Sequence, residues 1–409
     1  MSEKIKIPEL LSPAGNMESL DAALYYGADA VYLGGESFGM RSAPKNFSVP
    51  EIGEAVKKAH KVGARVYLTC NILPRNDQVK LLPSFLEQVS SCGVDALIIS
   101  DLGTLSLAKQ YAPRTDIHIS TQLGVTNYQT ALMLAELGAG RIVLARELSL
   151  EEIAEIRHKL PADVQIECFV HGAMCVSISG RCLLSAYLTG READNGDCAQ
   201  PCRWKYSVVE EKRPGIYIPV NEDEDGTHLF NSKDLCMIEH LEDLIAAGVD
   251  SLKIEGRAKN TYYTSVVTNA YRSALDILAK GESVEATAPW IKEELNKISH
   301  REYCTGFYYS KPSQAQVYYE GGYLQEWELA AVVESYEKLT ALVIQRNRFF
   351  NGEYLETFEP GKPPFGFKVQ NLRDENHIKI DSAPHPLQKV YFDCDIPLKE
   401  GAILRRKVN

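Results

Sequence analysis

The chain has 409 residues and carries 44 Lys+Arg against 55 Asp+Glu, a net charge of −11, with 45% hydrophobic and 24% charged residues. This composition excludes a disordered or fibrous chain, and the length exceeds what one ordinary core organises, so one large domain plus a small one, or two medium ones, is expected. The acidic balance counts against wholesale coating of nucleic acid but is compatible with a local basic site, because phosphate affinity depends on where the charges sit.

The opening text MSEKIKIPELLSPAG lacks the continuous apolar segment of a secretory signal, and no apolar run approaches the roughly 20 residues that span a bilayer, so a cytoplasmic protein with no membrane contact is expected. Short β-rich runs then recur at residues 7–11, 30–34, 65–70, 95–100, 116–121, 141–145, 165–170 and 250–255. Most are followed by amphipathic helical text such as VPEIGEAVKKAHKVG and SLEEIAEIRHKL, and Gly closes several of these helices. Eight strands alternating with helices predict an α/β fold, a (β/α)8 TIM-like barrel, with an open doubly wound sheet as the alternative. Both place chemistry at the carboxyl ends of the strands, where Asn16, Gly34, Asn71, Asp101, Gln122, Arg146, His171 and the KIEGR run at 253–257 fall. Neither GxGxxG nor GxxxxGK[ST] occurs, so nucleotide phosphates are not the indicated ligand.

Between the seventh and eighth strands the rhythm breaks over residues 171–247, a length that marks an insertion or a functional loop. Within it NEDEDG at 221–226 lacks the spaced ligands and closing Glu of a calcium loop and reads as a solvated turn. Residues 261–280 read as one long helix, so the barrel domain is expected over 1–285, a linker and helical connection over 286–327, and a small C-terminal β-barrel domain over 328–409. In that last domain strands are predicted at 330–336, 339–345, 377–381 and 402–408. Residues 331–409 hold 12 Lys+Arg against 11 Asp+Glu, whereas residues 1–330 hold 32 against 44. Lys399 and the RRK run at 405–407 are therefore candidate phosphate contacts, with a structural cap as the other reading of the domain.

Most informative is HGAMCVSISGRCLLSAYLTGREADNGDCAQPCRW, in which Cys175, Cys182, Cys198 and Cys202 follow a C-x6-C-x15-C-x3-C spacing. Four thiols from one irregular loop suit an iron–sulfur cluster or tetrahedral zinc; only the second pair is tight, which leans away from a zinc ribbon, and unligated thiols are the third option. Cys236 is a possible substitute ligand. A nucleophilic dyad of His171 and Cys175 would need the two residues on one helical turn, whereas Gly172 immediately follows a strand end. Neither HExxH nor GxSxG is present.

The segments ECFVHGAMC, SGRCLLS and GDCAQPCRWKY resemble the signature of peptidase family U32, the collagenase-like proteins, and LLSPAGNMESLDAALYYGADAVYLGG and SLKIEGRAKNTYY are similar to that family's opening and closing barrel motifs. The resemblance covers essentially the whole chain. It implies a branch of the family that hydroxylates tRNA, converting the wobble uridine to 5-hydroxyuridine in a prephenate-linked reaction; the alternative it carries is proteolysis or hydroxylation of another substrate. It also implies a 4Fe-4S cluster on Cys175, Cys182, Cys198 and Cys202, with no ligand role for Cys236. The implied partners are the tRNA anticodon loop and prephenate, and a second subunit of the same family is a further candidate. Because prephenate is a dicarboxylate, fixed cations are needed, and Arg41, Arg146, Arg181, Lys253 and Arg257 are the candidates, Arg41 and Arg257 first. His171 is placed as proton donor or as support for the first ligand. Tyr25, Tyr26, Tyr187 and Trp204 are aromatic residues able to stack on a base, although such residues more often belong to cores and interfaces.

Overall fold

The computed structural model describes residues 6–40, 46–175, 184–191, 198–201, 221–223, 226–228, 233–309 and 323–408. Strands β1 (Glu9–Ala14), β2 (Ala30–Gly34), β3 (Arg65–Cys70), β4 (Ala96–Ile99), β5 (Asp116–Ile119), β6 (Arg141–Val143) and β7 (Gln165–Ala173) pair in parallel in chain order. The insertion contributes two short antiparallel strands, β8 (Asn221–Asp223) with β9 (Gly226–His228), so that the stretch read as a turn begins and ends in strand, and then β10 (Asp234–Cys236). Strand β11 (Ser251–Ile254) pairs in parallel with both β7 and β1 and closes the cylinder. All eight predicted barrel strands are present. The first is shifted from 7–11 to 9–14 because Pro8 has no N–H to give, and the ladder starts where Glu9 N donates to Asp250 O.

The two-residue period of the strands separates two environments. Leu10, Val31, Val66, Leu97, Ile142 and Ile166 point outward into the main core beneath the helices, while Leu11, Ala30, Tyr32, Tyr67, Ala96 and Ile98 form a separate apolar cluster inside the barrel. Several helices start on side-chain caps at the carboxyl end of the cylinder. Asn16 Oδ1 accepts from Ser19 N at 2.8 Å and Asp101 Oδ1 from Thr104 N at 2.7 Å, which accounts for two of the polar residues at predicted strand ends as caps rather than chemistry.

Charge also lies inside the cylinder. Arg141 Nη1 donates to Glu9 at 2.6 Å and to Glu167 at 2.9 Å, and Lys253 Nζ reaches the other Glu167 oxygen at 2.8 Å. Arg65 and the Tyr67 hydroxyl meet the second Glu9 oxygen at 2.5 and 2.7 Å. Burial acts to raise the Glu9 carboxyl, but the charge and hydrogen bond of Arg141, the Tyr67 hydroxyl and Arg65 hold it below its ordinary range.

Within the expected linker and helical connection at 286–327, the described residues pack as part of the barrel unit. Ile291, Leu295, Ile298, Phe307 and Tyr308 are buried in the barrel's own core, β12 (Tyr303–Cys304) pairs with β10, and the Tyr308 hydroxyl donates to Phe169 O at 2.6 Å. The barrel unit therefore runs well past residue 285. Their apolar positions lie in short pieces, Trp290–Leu295 and single residues around β12, too brief for a periodic signal.

The C-terminal domain contains β13 (Trp327–Glu337), β14 (Thr340–Gln345), β15 (Phe349–Phe350), β16 (Tyr354–Thr357), β17 (Phe365–Lys368), β18 (Gln370–Arg373), β19 (Ser382–Ala383), β20 (Lys389–Asp393) and β21 (Ile403–Lys407). Seven of these form an antiparallel sheet in the order β17-β16-β21-β13-β14-β20-β18. Its edge strands β17 and β18 are separated in sequence by Val369 alone, so the sheet curls until its edges meet around its own core. The strand expected at 377–381 is instead the far side of a tight turn: His377 N bonds Asp374 O, and Lys379 makes an isolated bridge to Arg373.

Arg405 is fully buried where this domain meets the barrel and donates to Glu294 of the helix Trp290–Leu295 at 2.7 Å and to Glu356 at 2.5 Å. Lys297 joins the same Glu356 at 2.9 Å, and Tyr26 stacks on Phe358 with ring centroids 5.0 Å apart. Two residues of the RRK run are therefore structural rather than the expected phosphate contacts: Arg405 is buried at the domain contact, and Arg406 is bound to Glu328 and Glu353, whereas Lys407 and Lys399 are exposed and lie 3.7 Å from Glu326 and 3.5 Å from Glu359.

Replacing Arg141 by Leu strands Glu9 and Glu167 in the barrel interior and is expected to lower the unfolding free energy by about 3–5 kcal/mol, read by urea denaturation. A decrease below about 1 kcal/mol would show that the interior network does not hold the barrel together.

Candidate functional site

The carboxyl ends of the strands converge on a polar cluster. Arg257, past the end of β11, is buried and donates from Nη1 to Thr69 Oγ1 of β3 at 2.6 Å and from Nη2 to the Met40 carbonyl. Its guanidinium lies against the end of β2, where only Gly34 fits: a Cβ there would fall 2.5 Å from Arg257 Nη1. Asn71 Oδ1 accepts from Met40 N at 3.0 Å, and Asn71 Nδ2 donates to Gln122 Oε1 at 2.8 Å. Gln122 Oε1 also accepts from Ser100 Oγ at 3.2 Å, and its Nε2 contacts Met40 Sδ. Side chains from the ends of β3, β4, β5 and β11 thus hold one loop, at Met40, across the mouth. Asn71, Gln122 and Arg257 are legible as polar residues at strand ends; Thr69, Ser100 and the Met40 backbone are not, because nothing local distinguishes them before the strands are assembled.

Arg146 donates to Ala173 O at 2.9 Å, with its guanidinium 5.1 Å from the centre of the Phe169 ring. It therefore secures the end of β7 two residues before Cys175. Lys253 sits inside the barrel rather than past a strand end, paired with Glu167 and 4.6 Å from the centre of the Tyr32 ring. It belongs to the interior network beneath the mouth. Arg41 and Arg181 lie outside the described residues.

His171 is turned away from the mouth. Glu167 and Phe169 face inward, and the two-residue period would bring His171 with them, but the β7–β11 register shifts between Lys253 and Ile254, so Lys253 pairs with Phe169 and Ile254 with His171. The bulge rotates His171 to the outer face. There the ring lies among Tyr263, Tyr271 and Tyr303, with Nδ1 3.4 Å from the Tyr271 hydroxyl. Burial, assisted by His300 and Lys259, pushes its pKa down to about 3, so it is a neutral packing residue. Residues 171–173 are strand, so no helical turn joins it to Cys175.

Of the four expected cluster ligands, Cys175 and Cys198 are described; Cys182 and Cys202 lie outside the described residues. Cys175 is part-exposed just past β7, and Cys198 is exposed. Gln200, in a left-handed backbone conformation with φ 55°, turns its N–H back to the Cys198 sulfur at 3.4 Å. Amide bonds of this kind suit a metal-bound thiolate. By contrast, Cys70 and Cys236 are held inside the fold, where burial pushes their thiols up to about 12 and about 11. The accessible sulfurs of Cys175 and Cys198 have the donor chemistry of a soft metal centre. Trp204 and the Tyr187 side chain are outside the described residues, while Tyr26 is occupied by Phe358 at the domain contact.

A cavity of about 840 Å³ opens at the opposite, amino end of the barrel, lined by Arg65, Tyr67, Asp95, Asp116, His118 and Asp163 among others. It is remote from the strand ends that carry the cluster at the mouth.

Fold and site together define a (β/α)8 barrel with a thiol-bearing insertion after β7 and a docked, curled β domain. The chain belongs to peptidase family U32: the family model matches residues 15–318 and the model of the family's C-terminal domain matches residues 325–405. It is 36% identical to tRNA hydroxylation protein P1 of Bacillus subtilis, over 98% of this chain and 95% of the relative. With tRNA hydroxylation protein P of Escherichia coli the identity is 37%, over 97% and 96%. An uncharacterized protease of Methanocaldococcus jannaschii is 43% identical over 82% of this chain and 83% of the relative.

Because His171 is neutral in the fold and ionises near 6.5 once unfolded, it contributes stability in full above pH 6.5 that is lost as pH falls toward 3. The stability difference between the protein and its His171→Phe variant is therefore expected to change with pH below 6.5, by up to about 1.4 kcal/mol per unit. A pH-independent difference between denaturation series at pH 7 and 5 would show that the imidazole is not buried neutral.

Proposed function

We propose that this chain is an RNA-modifying enzyme that hydroxylates tRNA, converting the wobble uridine to 5-hydroxyuridine with a 4Fe-4S cluster and prephenate as linked co-substrate. The observation that carries this reading is the similarity to two tRNA hydroxylation proteins over 95% or more of either chain, barrel and C-terminal domain together. Cys175, Cys182, Cys198 and Cys202 would hold the cluster, which when bound supplies one-electron chemistry or an open iron. Around it the chain's own residues orient and enclose. Arg146 fixes the strand end that leads into Cys175, and the Gln200 amide supports Cys198. Arg257, oriented by Thr69 and the Met40 carbonyl, is a candidate to receive a carboxylate at the mouth, with Arg41 as a second. An anticodon wobble base lies in a single-stranded loop and can be splayed into such a mouth, whereas a base inside a duplex cannot reach it. The proteolytic reading in the family's name lacks matching geometry among the described residues, since His171 faces a tyrosine cage and not a nucleophile.

The test is the visible spectrum with iron and sulfide analysis of protein purified without oxygen, followed by a nucleoside assay on tRNA. About four irons and four sulfides per chain are expected. Cys198→Ala should abolish loading, and Cys236→Ala should leave the iron content unchanged. Equal loss in both variants would overturn the ligand set, and colourless iron-free protein after supported cluster assembly would overturn the cluster.

A further inference from the structure

Charges in the C-terminal domain are largely consumed. Arg373 is bound to Asp393, Lys389 to Glu334 and Lys362 to Glu359, and Arg405, Arg406 and Lys407 have the partners described above. Four exposed cations, Lys338, Arg348, Lys368 and Lys379, form no ion pair with any described residue, and two of them, Arg348 and Lys368, flank exposed aromatic rings. Arg348 lies 4.8 Å from the centre of the Phe350 ring and is steadied by Ser382 Oγ at 3.3 Å. Lys368 stands directly across the β16–β17 ladder from Tyr354. Tyr354 is 63% exposed and Phe350 42% exposed.

Local structure makes these rings a fixed surface. Glu353 N closes a turn onto Phe350 O at 3.2 Å, which links the two aromatics through one short turn; both rings are exposed, while their neighbours Phe349 and Leu355 belong to the domain core. The Tyr354 ring lies across Gly366 of the neighbouring strand: a Cβ on Gly366 would land 2.2 Å from Tyr354 Cζ. One face of the ring is thereby spent on backbone and the other is left to solvent. Glu353, in the turn between the two rings, is bound to Phe350 N at 2.8 Å and to Arg406 at 2.9 Å.

The orientation of the domain decides which end of the barrel this surface serves. Glu356 is bound to Lys297, whose carbonyl accepts the hydroxyl of Tyr262 in the first turn of the helix Thr261–Leu278, at the mouth level. Two residues on, Phe358 stacks on Tyr26 at the far end of the helix Met17–Tyr25, at the amino level. Strand β16 therefore runs from mouth to amino end, and Tyr354 and Phe350, which precede Glu356, lie on the mouth side. Arg346, ion-paired at 3.0 Å with Glu18 in the first turn after β1, gives the same direction.

We infer that Phe350 and Tyr354, with Arg348 and Lys368, form a stacking platform for the single-stranded RNA that flanks the base entering the barrel mouth. This inference rests on the RNA-hydroxylating reading and adds the surface that grips the strand. Aromatic faces stack on any base, and the two cations meet the phosphates on either side of it.

The experiment is fluorescence anisotropy of full-length protein, purified without oxygen, with a labelled RNA stem-loop bearing a single-stranded uridine-containing loop, over a salt series. The double variant Phe350→Leu/Tyr354→Leu keeps apolar cover over Gly366 and is expected to weaken binding about tenfold or more with an unchanged unfolding midpoint. Arg348→Gln/Lys368→Gln is expected to reduce the slope of log affinity against log salt by about 0.7 for each phosphate that is no longer neutralised. Stem-loop binding that is unaltered in both variants, while the wild type binds and hydroxylates tRNA, overturns the platform and leaves the proposed function standing. Wild-type protein that neither binds the stem-loop nor hydroxylates tRNA overturns both.

Discussion

Burying ionised groups in a barrel interior costs several kcal/mol per ion unless each is met by an opposite charge at hydrogen-bond distance, and the chain Glu9, Arg141, Glu167, Lys253 meets that condition at 2.6, 2.9 and 2.8 Å. These contacts span β1, β6, β7 and β11; the Lys253–Glu167 pair crosses the β7–β11 seam, and Ser251 Oγ, donating to Glu9 at 2.9 Å, crosses the β11–β1 seam. A set of well-packed apolar residues could match the network in stability; what charges add is a severe penalty for error. A one-residue slip of β7 would turn Glu167 into the layer occupied by Ile166 and Cys168, beneath the helices, and leave Arg141 unpaired. The network thus specifies register, and register decides which strand ends reach the mouth.

Repetition makes the barrel readable in the sequence, and departures from repetition mark its limits. Each strand announces itself by β-branched and apolar runs between turn residues, and the alternation that sends Leu10 outward and Leu11 inward is visible in the text. That same period assigns His171 to the mouth, and a bulge of one residue moves it to the tyrosine cage; no local residue signals such an irregularity, which arises from pairing with a strand some 80 residues later. Arg405 reads as a phosphate ligand by composition, yet its partners Glu294 and Glu356 are distant in sequence and meet it only when the two domains dock. The thiol spacing is legible because it is local, as are Asn71, Gln122 and Arg257 at their strand ends.

Docking of the C-terminal domain follows the same physical logic as the barrel interior. Arg405 is fully buried between Glu294 of the barrel and Glu356 of the domain, with Trp327 and Phe358 against its guanidinium at 5.4 and 4.9 Å. Phe358 and Ile403 belong to the barrel's core cluster rather than to their own domain's. An interface built this way resists sliding, since any displacement exposes a charge that has no alternative partner. The rings of Phe350 and Tyr354 consequently keep a fixed relation to the mouth, which a tethered domain on a flexible linker would not provide.

An insertion of this length raises the question of how an irregular loop can present thiols at a defined place. Strand β7 answers it by overrunning the barrel: Gly172 and Ala173 continue past the β11 pairing and, with His171, form an antiparallel ladder with Leu235, Asp234 and Cys236. The residues on either side of the segment 174–233 are thereby paired with each other, so the entropy of closing that segment is offset by a ladder. Arg146 then ties Ala173 O to the end of β6, and β12 extends the same sheet outward from β10. Cys175 follows two residues after this fixed point, too few to wander far from it. His171 finds its role here: the bulge that removes it from the mouth packs it against Tyr271 and Tyr303, anchoring the strand that delivers the first thiol.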